Sequence, residues 1–355
     1  MKDDITVTIN CVTYNQKNFI KRVLEGFINQ KTNFKFEALV HDDCSTDGTT
    51  EIINEYAKKY PDIIIPILEE KNRMQKEGCY NINIEMYSKA RGKYIAFCDG
   101  DDYWIDENKL QTQVDFLNNN PDFAGVFHKS LRKNILTGED ICYMPIKEKL
   151  KGKDIFTIKD TLYNYFMETC SVMYRFDESV KQELIQSFPK EIINGDTFLI
   201  YFFSLKGKIK YIDKLMSIKN IGNQGIWNSV EQSKAQRDIR FWLEIINFPV
   251  EVRKLLDNNN CNLSYTIPEI PLKRVLVSAM ELERYDIVKK ISRRFPDIFK
   301  SIITIDIDFI HTETERQKKK VKKYKKILKI LILITVLAFI LTFIPIFILA
   351  FIFIF

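Results

Sequence analysis

Between Ile5 and Cys98 the chain alternates short apolar runs with stretches of helical periodicity, and few architectures accommodate that alternation. Ile5, Val7, Ile9 and Cys11 alternate with Thr6, Thr8 and Asn10, the period-two pattern of a strand ending near Thr13-Tyr14-Asn15. Phe19/Ile20, Val23/Leu24 and Phe27/Ile28 then recur at helical spacing, which predicts a helix with one face packed on a sheet. Further strands are predicted over 36–41, 63–68 and 94–98, with helices after Asp47-Gly48-Thr49 and over 79–90. Strand-helix alternation of this kind gives a mainly parallel sheet flanked by helices, an α/β fold.

In such sheets ligands bind beyond the carboxyl ends of the strands. Three polar stretches are expected there together: Thr13 to Asn15, Asp42-Asp43, and the loop Asp99-Gly100-Asp101-Asp102 that follows the apolar run Tyr94-Ile95-Ala96-Phe97-Cys98. Three carboxylates within four residues repel one another. They suit either a well-solvated acidic turn or a hard divalent cation such as Mg²⁺ or Mn²⁺, which prefers carboxylate and water oxygens. Asp196 precedes the apolar helical run 198–205 and reads, on its own, as a helix cap.

The rest of the body is less legible. A helix is predicted around 106–119 and a strand over 124–128; residues 129–165 carry no assignable chemistry, and 231–300 show loosely helical spacing. The net charge of +6 is local, because nine of the 53 basic residues lie between Arg316 and Lys329, leaving 44 against 47 acidic residues elsewhere. A near-neutral body does not suit a nucleic-acid-binding protein. Seven scattered cysteines without a Cys-x-x-Cys pair suit a reducing compartment, and His41, His128 and His311 form no histidine cluster for zinc. No secretory signal peptide is read at the N-terminus.

After Lys329 come 26 residues interrupted in polarity only by Thr335, Thr342 and Pro345. As a helix they would extend about 39 Å, enough to cross a hydrocarbon core of about 30 Å with tilt. The preceding basic run marks the cytoplasmic side, so a single-pass C-terminal anchor with a cytoplasmic body is expected.

Taken together, Val12-Thr13-Tyr14-Asn15, Asp42-Asp43-Cys44-Ser45-Thr46-Asp47-Gly48-Thr49, Ala90-Arg91-Gly92-Lys93-Tyr94-Ile95 and Asp99-Gly100-Asp101-Asp102-Tyr103-Trp104 resemble, in order and spacing, the family 2 glycosyltransferases of GT-A fold. The resemblance covers roughly residues 4–228. It implies a glycosyltransferase domain over 1–228, with a nucleotide-sugar half (1–105) and an acceptor half (106–228). A helical region (229–311), a basic juxtamembrane segment (312–329) and a transmembrane helix (330–355) then follow. It further implies a metal-dependent enzyme that uses Mg or Mn and moves a sugar, with inversion, from a nucleoside-diphosphate sugar, in the UDP form, to a hydroxyl of a glycan or lipid-linked acceptor in cell-surface polysaccharide synthesis. Thr13, Tyr14, Asn15, Asp43 and Asp99 fall on nucleotide-sugar positions, with Tyr14 near the base and Asp43 at a base-contacting position. Asp101, Asp99 and Asp102 fall on the metal element, Tyr103 and Trp104 on the acceptor side, and Asp196 on the catalytic base. Transfer to a polyprenyl phosphate, or a catalytically silent sugar-nucleotide-binding protein, are the alternatives. One departure stands out: where many relatives carry a Tyr-Arg-x-His-like element ahead of a Gly-rich stretch and Trp, this chain reads Lys219-Asn220-Ile221-Gly222-Asn223-Gln224-Gly225-Ile226-Trp227, without the arginine and histidine.

Overall fold

The computed structural model describes residues 4–74, 79–150, 152–161, 166–190, 195–222, 275–276, 278–279 and 282–294. The chain divides into two compact units, Met1–Pro271 and Leu272–Phe355. The expected basic segment and apolar tail lie outside the described residues, as does most of the expected helical region. Among the described residues no helix is long and apolar enough to cross a membrane.

The alternation read from the sequence becomes β1 (Ile5–Thr13), α1 (Lys17–Ile28), β2 (Lys35–Asp42), α2 (Thr49–Lys59), β3 (Ile64–Leu68), α3 (Cys79–Lys89) and β4 (Tyr94–Phe97). These strands pair in parallel in the order β3-β2-β1-β4. The sheet is buried on both faces, as parallel sheets usually are. Val7, Ile9, Cys11, Ala38 and Val40 face α1 through Ile20, Val23, Leu24 and Phe27. Leu39, Ile95 and Phe97, on the opposite face, share a core with Ile82, Met86 and Tyr87 of α3.

Beyond β4 the sheet becomes mixed. The chain runs through β5 (Tyr103–Trp104), α4 (Lys109–Asn119), β6 (Phe123–Asn134), β7 (Asp140–Met144), α5 (Lys147–Leu150), β8 (Ile155–Phe156), α6 (Ile158–Thr161) and a single 3₁₀ turn, Thr169–Ser171. It continues through β9 (Met173–Arg175), α7 (Glu178–Ser187), α8 (Gly195–Lys206) and β10 (Lys208–Ile221). β9 sits between β4 and β6, antiparallel to both, while β10 runs parallel to β6 and antiparallel to β5.

Two features of this half position the site. α8 is apolar nearly all round, burying Phe198, Leu199, Ile200, Phe202 and Phe203, and a helix of that composition has to lie inside the protein. The Phe203 ring stacks on Tyr174 of β9 at 4.0 Å between centroids, and Phe198 meets Phe188 at 5.3 Å, which fixes the first turn of α8 beside α7. β10, at 14 residues, threads the second half of the sheet and delivers Lys219 and Asn220 to the loop after β4. In the second unit, α9 (Tyr285–Arg294) buries Ile287 and Ile291, one turn apart.

Candidate active site

The carboxyl ends of β1, β2 and β4 come together. Thr13 lies opposite Asp42 in the register, the Asp43 amide donates to Thr13 O at 3.1 Å, and the Gly100 amide donates to Val12 O at 3.0 Å. A Cβ on Gly100 would stand 2.4 Å from Thr13 Oγ1, so glycine lets the acidic loop close onto β1. Thr13, Asp43 and Asp99 to Asp102 therefore share one edge, as the strand order required.

On the nucleotide side, residues 14–17 and 42–50 are laced together by side chains. The Asn15 amide donates to Ser45 Oγ at 2.8 Å, Thr46 N to Asn15 Oδ1 at 2.9 Å, and Lys17 N to Asp47 Oδ2 at 3.0 Å. Asn15 and Cys44 hold positive φ (52° and 64°), and asparagine tolerates that region better than most residues. Tyr14 projects from this turn, 45% exposed, with its ring available for stacking. Asp42 accepts from the hydroxyls of Ser45 and Thr50. Asp43 is buried and accepts from the amides of Arg73 at 2.7 Å and Met74 at 3.0 Å. Its carboxylate thus holds the segment after β3 against the site, a role the sequence did not reveal.

The three loop aspartates divide. Asp99 is half-buried, and desolvation pushes its carboxyl up to about 7; Lys219 opposes that rise, and Asp102, Asp101 and Asp196 add to it. Asp101 is half-buried, with its carbonyl accepting from Asn220 Nδ2 at 2.6 Å. Asp102 is fully buried and satisfied at both oxygens, by Asn220 N at 3.0 Å and Lys219 Nζ at 2.9 Å. These bonds tie the loop to β10. Asp99 and Asp101 supply hard oxygen donors whose mutual repulsion a divalent cation relieves, so the residues present fit Mg²⁺ or Mn²⁺. Among the described residues no group of three or more His, Cys, Asp or Glu side chains is arranged to hold a metal. A cation here would rest on one or two carboxylates, with water and phosphate oxygens completing its shell, as Mg²⁺ commonly does.

Asp196 lies in the first turn of α8, where the helix dipole favours a negative charge. Its Oδ1 accepts from the neighbouring Thr197 amide at 2.8 Å, whereas an N-cap side chain would reach two or three residues on. It lies close enough to Asp99 for its charge to raise that carboxyl. A Cβ on Gly195 would stand 3.2 Å from Phe188 and 3.4 Å from Asn83, so the start of α8 seats closely on α7 and α3.

Tyr103 and Trp104, expected to floor the acceptor side, are 5% and 4% exposed. Trp104 donates from Nε1 to Cys170 O at 3.0 Å, meets Phe27 edge-on at 5.0 Å and carries the buried Lys109 ammonium 4.0 Å over its ring. Burial pulls that ammonium down to about 7. Arg22 covers the Tyr103 ring at 3.6 Å. These contacts join β5 to α1 and the core.

Comparison with known proteins bears on the family and the fold. Residues 8–180, just under half of the chain, match the sequence profile of Glycosyl transferase family 2, and this domain is of that family. An uncharacterised protein of Mycobacterium tuberculosis is 32% identical over 236 residues, 66% of this chain and 63% of that protein, so the match spans just under two thirds of the relative's length. A UDP-Glc:alpha-D-GlcNAc-diphosphoundecaprenol beta-1,3-glucosyltransferase, WfaP of Escherichia coli, is 32% identical over 133 residues, 37% of this chain and 49% of that one. The putative teichuronic acid biosynthesis glycosyltransferase TuaG of Bacillus subtilis is 32% identical over 111 residues, 31% of this chain and 41% of that one. Among solved structures, S. aureus TarS 1-349 in complex with UDP-GlcNAc covers 78% of this chain and 73% of its own at 18% identity and a TM-score of 0.51, a likeness of fold.

Proposed function

We propose that this protein is an inverting, metal-assisted glycosyltransferase that moves a sugar from a UDP-sugar to a hydroxyl of a glycan or lipid-linked acceptor during cell-surface polysaccharide synthesis. The observation that carries the reading is the placement of Asp196, in the first turn of α8, within electrostatic reach of Asp99 at the end of β4. On this reading the two carboxylate groups, separated in sequence, act at one site with different duties. Tyr14 offers its ring to the base, while Thr13 and Asn15 shape the turn beside it. Asp99 and Asp101 would hold Mg²⁺ or Mn²⁺, which when bound neutralises charge on the leaving nucleoside diphosphate. Asp196 accepts the proton of the acceptor hydroxyl as that oxygen attacks the anomeric carbon from the side opposite the diphosphate, which inverts the centre. The named activity of WfaP, on a diphosphoundecaprenol-linked sugar, supports a lipid-linked acceptor.

Binding is the first test. With Mn²⁺ present, UDP should raise the melting temperature more than GDP or dTDP at equal concentration, because only a ligand held by the native state stabilises it. Equal shifts for all three would remove the uridine preference, and no shift with any would remove the nucleotide site.

The basic run and apolar tail support a second part of the reading, a body held at the cytoplasmic face of a membrane where lipid-linked acceptors reside. Full-length protein should stay with membranes through carbonate extraction, while a chain ended near Thr314 should be soluble. Release of the full chain by high salt alone would reduce the attachment to surface adsorption.

A further inference from the structure

We propose that the β6–β7 hairpin is a bilayer contact, which seats Leu136, Ile141 and Tyr143 in the headgroup zone of an anionic membrane and turns the carboxyl edge of the sheet toward lipid-linked acceptors. The inference rests on the lipid-linked reading above and gives it a surface.

Leu136, Ile141, Tyr143 and Ile146 are four of the nine large apolar side chains exposed among the described residues, and all fall within 136–146. Exposed apolar residues gathered in this way mark a contact surface, whereas single ones do not. Leu136, 83% exposed, tops a turn that is held without its side chain: the Asn134 amide donates to Glu139 O at 2.8 Å, and the amides of Leu136 and Thr137 donate to Asn134 Oδ1. A polar residue would serve that turn as well, so the fold does not account for the leucine. Ile141 and Tyr143, each 50% exposed, alternate with Cys142 and the buried Met144. The Lys129 ammonium, paired with Asp213, stands 5.4 Å over the Tyr143 ring. Tyrosine and lysine both suit a boundary where an apolar body meets lipid and a polar tip meets headgroups.

Charge decides the kind of partner. From Lys129 to Lys159 the chain carries eight basic residues against Glu139, Asp140, Glu148 and Asp154, and Lys133 holds Asp140 at 3.3 Å. Lys147, Lys149, Lys151 and Lys153 follow the hairpin directly. Basic residues beside exposed apolar ones fit anionic lipid. A register shift between Arg132 and Lys133 interrupts the outer strand, which disfavours addition of a strand from another chain.

The hairpin also stands where such a contact is useful. β9 pairs antiparallel with both β4 and β6, so β6 ends at the edge that carries the acidic loop. The Ile135 amide donates to Ile221 O at 3.0 Å, one residue beyond Asn220, whose own amide holds Asp102. With the apolar tail read as an anchor that keeps the body at the bilayer, the hairpin has only to orient it.

The test is tryptophan fluorescence of the full-length protein in vesicles of phosphatidylglycerol and phosphatidylcholine, with and without bromine on the acyl chains as quencher. Subtracting the parent signal removes Trp104, Trp227 and Trp242. The Leu136→Trp protein should lose most of its added emission to the bromines. Glu55→Trp, at an exposed position of α2, should lose almost none. The loss at Leu136→Trp should be smaller in vesicles of phosphatidylcholine alone, and equal loss would overturn the anionic preference. Tyr143→Trp repeats the measurement if Leu136→Trp melts below the parent. Emission at both positions that stays unquenched while the protein floats with the vesicles would overturn the proposal, and a blue-shifted but unquenched signal would assign the hairpin to a protein partner or a second copy instead. The readout needs no turnover. Consumption of a UDP-sugar with an unquenched hairpin overturns this surface and leaves the transferase reading standing, whereas quenching without consumption supports the surface and counts against the transferase. A full chain that does not float with vesicles overturns the membrane part of both.

Discussion

Asp196→Asn should lower sugar transfer to a hydroxyl acceptor by about 10²- to 10⁴-fold, the usual contribution of a general base. Asparagine has nearly the same shape and retains an oxygen for the Thr197 amide, so the local hydrogen bond survives the change. The negative charge at the start of α8 is lost, and a carboxylate in a first turn contributes only about 0.3–1 kcal/mol through the helix dipole. For a domain of this size that corresponds to a fall of at most about 4 °C in melting temperature. UDP binding should persist, because Tyr14, Asp99 and Asp101 are untouched. A variant with near-parent transfer would place the base elsewhere, and one that fails to fold would make Asp196 a structural residue.

The largest expected effect on stability lies at Gly92. A Cβ there would stand 2.3 Å from Thr8 N, 2.6 Å from Tyr94 O and 2.7 Å from Val7 C, all backbone atoms of β1 and β4 or their connection. No side-chain rotation relieves such contacts; the two central strands must part. The Gly92 amide also donates to Thr8 Oγ1 at 2.8 Å, and Thr8 in turn donates to the buried Glu37, which Arg91 clamps at 2.7 Å from Nε. Overpacking among side chains costs about 1–3 kcal/mol, so Gly92→Ala against backbone should cost at least about 3 kcal/mol. That is a loss of about 6 °C or more in melting temperature, or failure to accumulate folded protein. A melting temperature within about 2 °C of the parent would show that β1 and β4 tolerate separation there.

Gly92 also shows what part of the sequence was legible and why. The segment Ala90-Arg91-Gly92-Lys93-Tyr94-Ile95 was read as one of the motifs carrying the family resemblance, but its work in this structure is packing: it allows β4 to lie close to β1 and secures Glu37. Strands β1 to β4 were readable because their apolar periodicity is uninterrupted. β10 was not, although Lys208 to Tyr211 alternate in polarity, because the register with β6 shifts between Ile212 and Leu215 and again before Ser217. Those shifts break the period-two pattern just before Lys219 and Asn220, the residues that hold the acidic loop. Tyr103 and Trp104 illustrate a different limit. Aromatic residues next to an acidic motif suit an acceptor floor or a core equally well, and no local pattern announces their contacts with Phe27, Lys109 and Arg22. The Asp43 carboxylate accepts from the amides of Arg73 and Met74, 30 and 31 residues away, which no local pattern announces.

The central claim is that the edge bearing Asp99 and Asp101 and the helix turn bearing Asp196 form one site for nucleotide-sugar chemistry. Release of nucleoside diphosphate from a panel of radiolabelled nucleotide sugars, by the full-length protein in membranes containing lipid-linked acceptors, tests it most directly. The account predicts that a UDP-sugar is consumed in the presence of Mn²⁺ or Mg²⁺, that a chelator stops the release, and that Asp101→Asn abolishes it while the protein remains folded. A folded protein that binds a nucleotide sugar yet releases diphosphate at an equal rate with chelator, or with Asp101→Asn, would contradict the assignment of that edge.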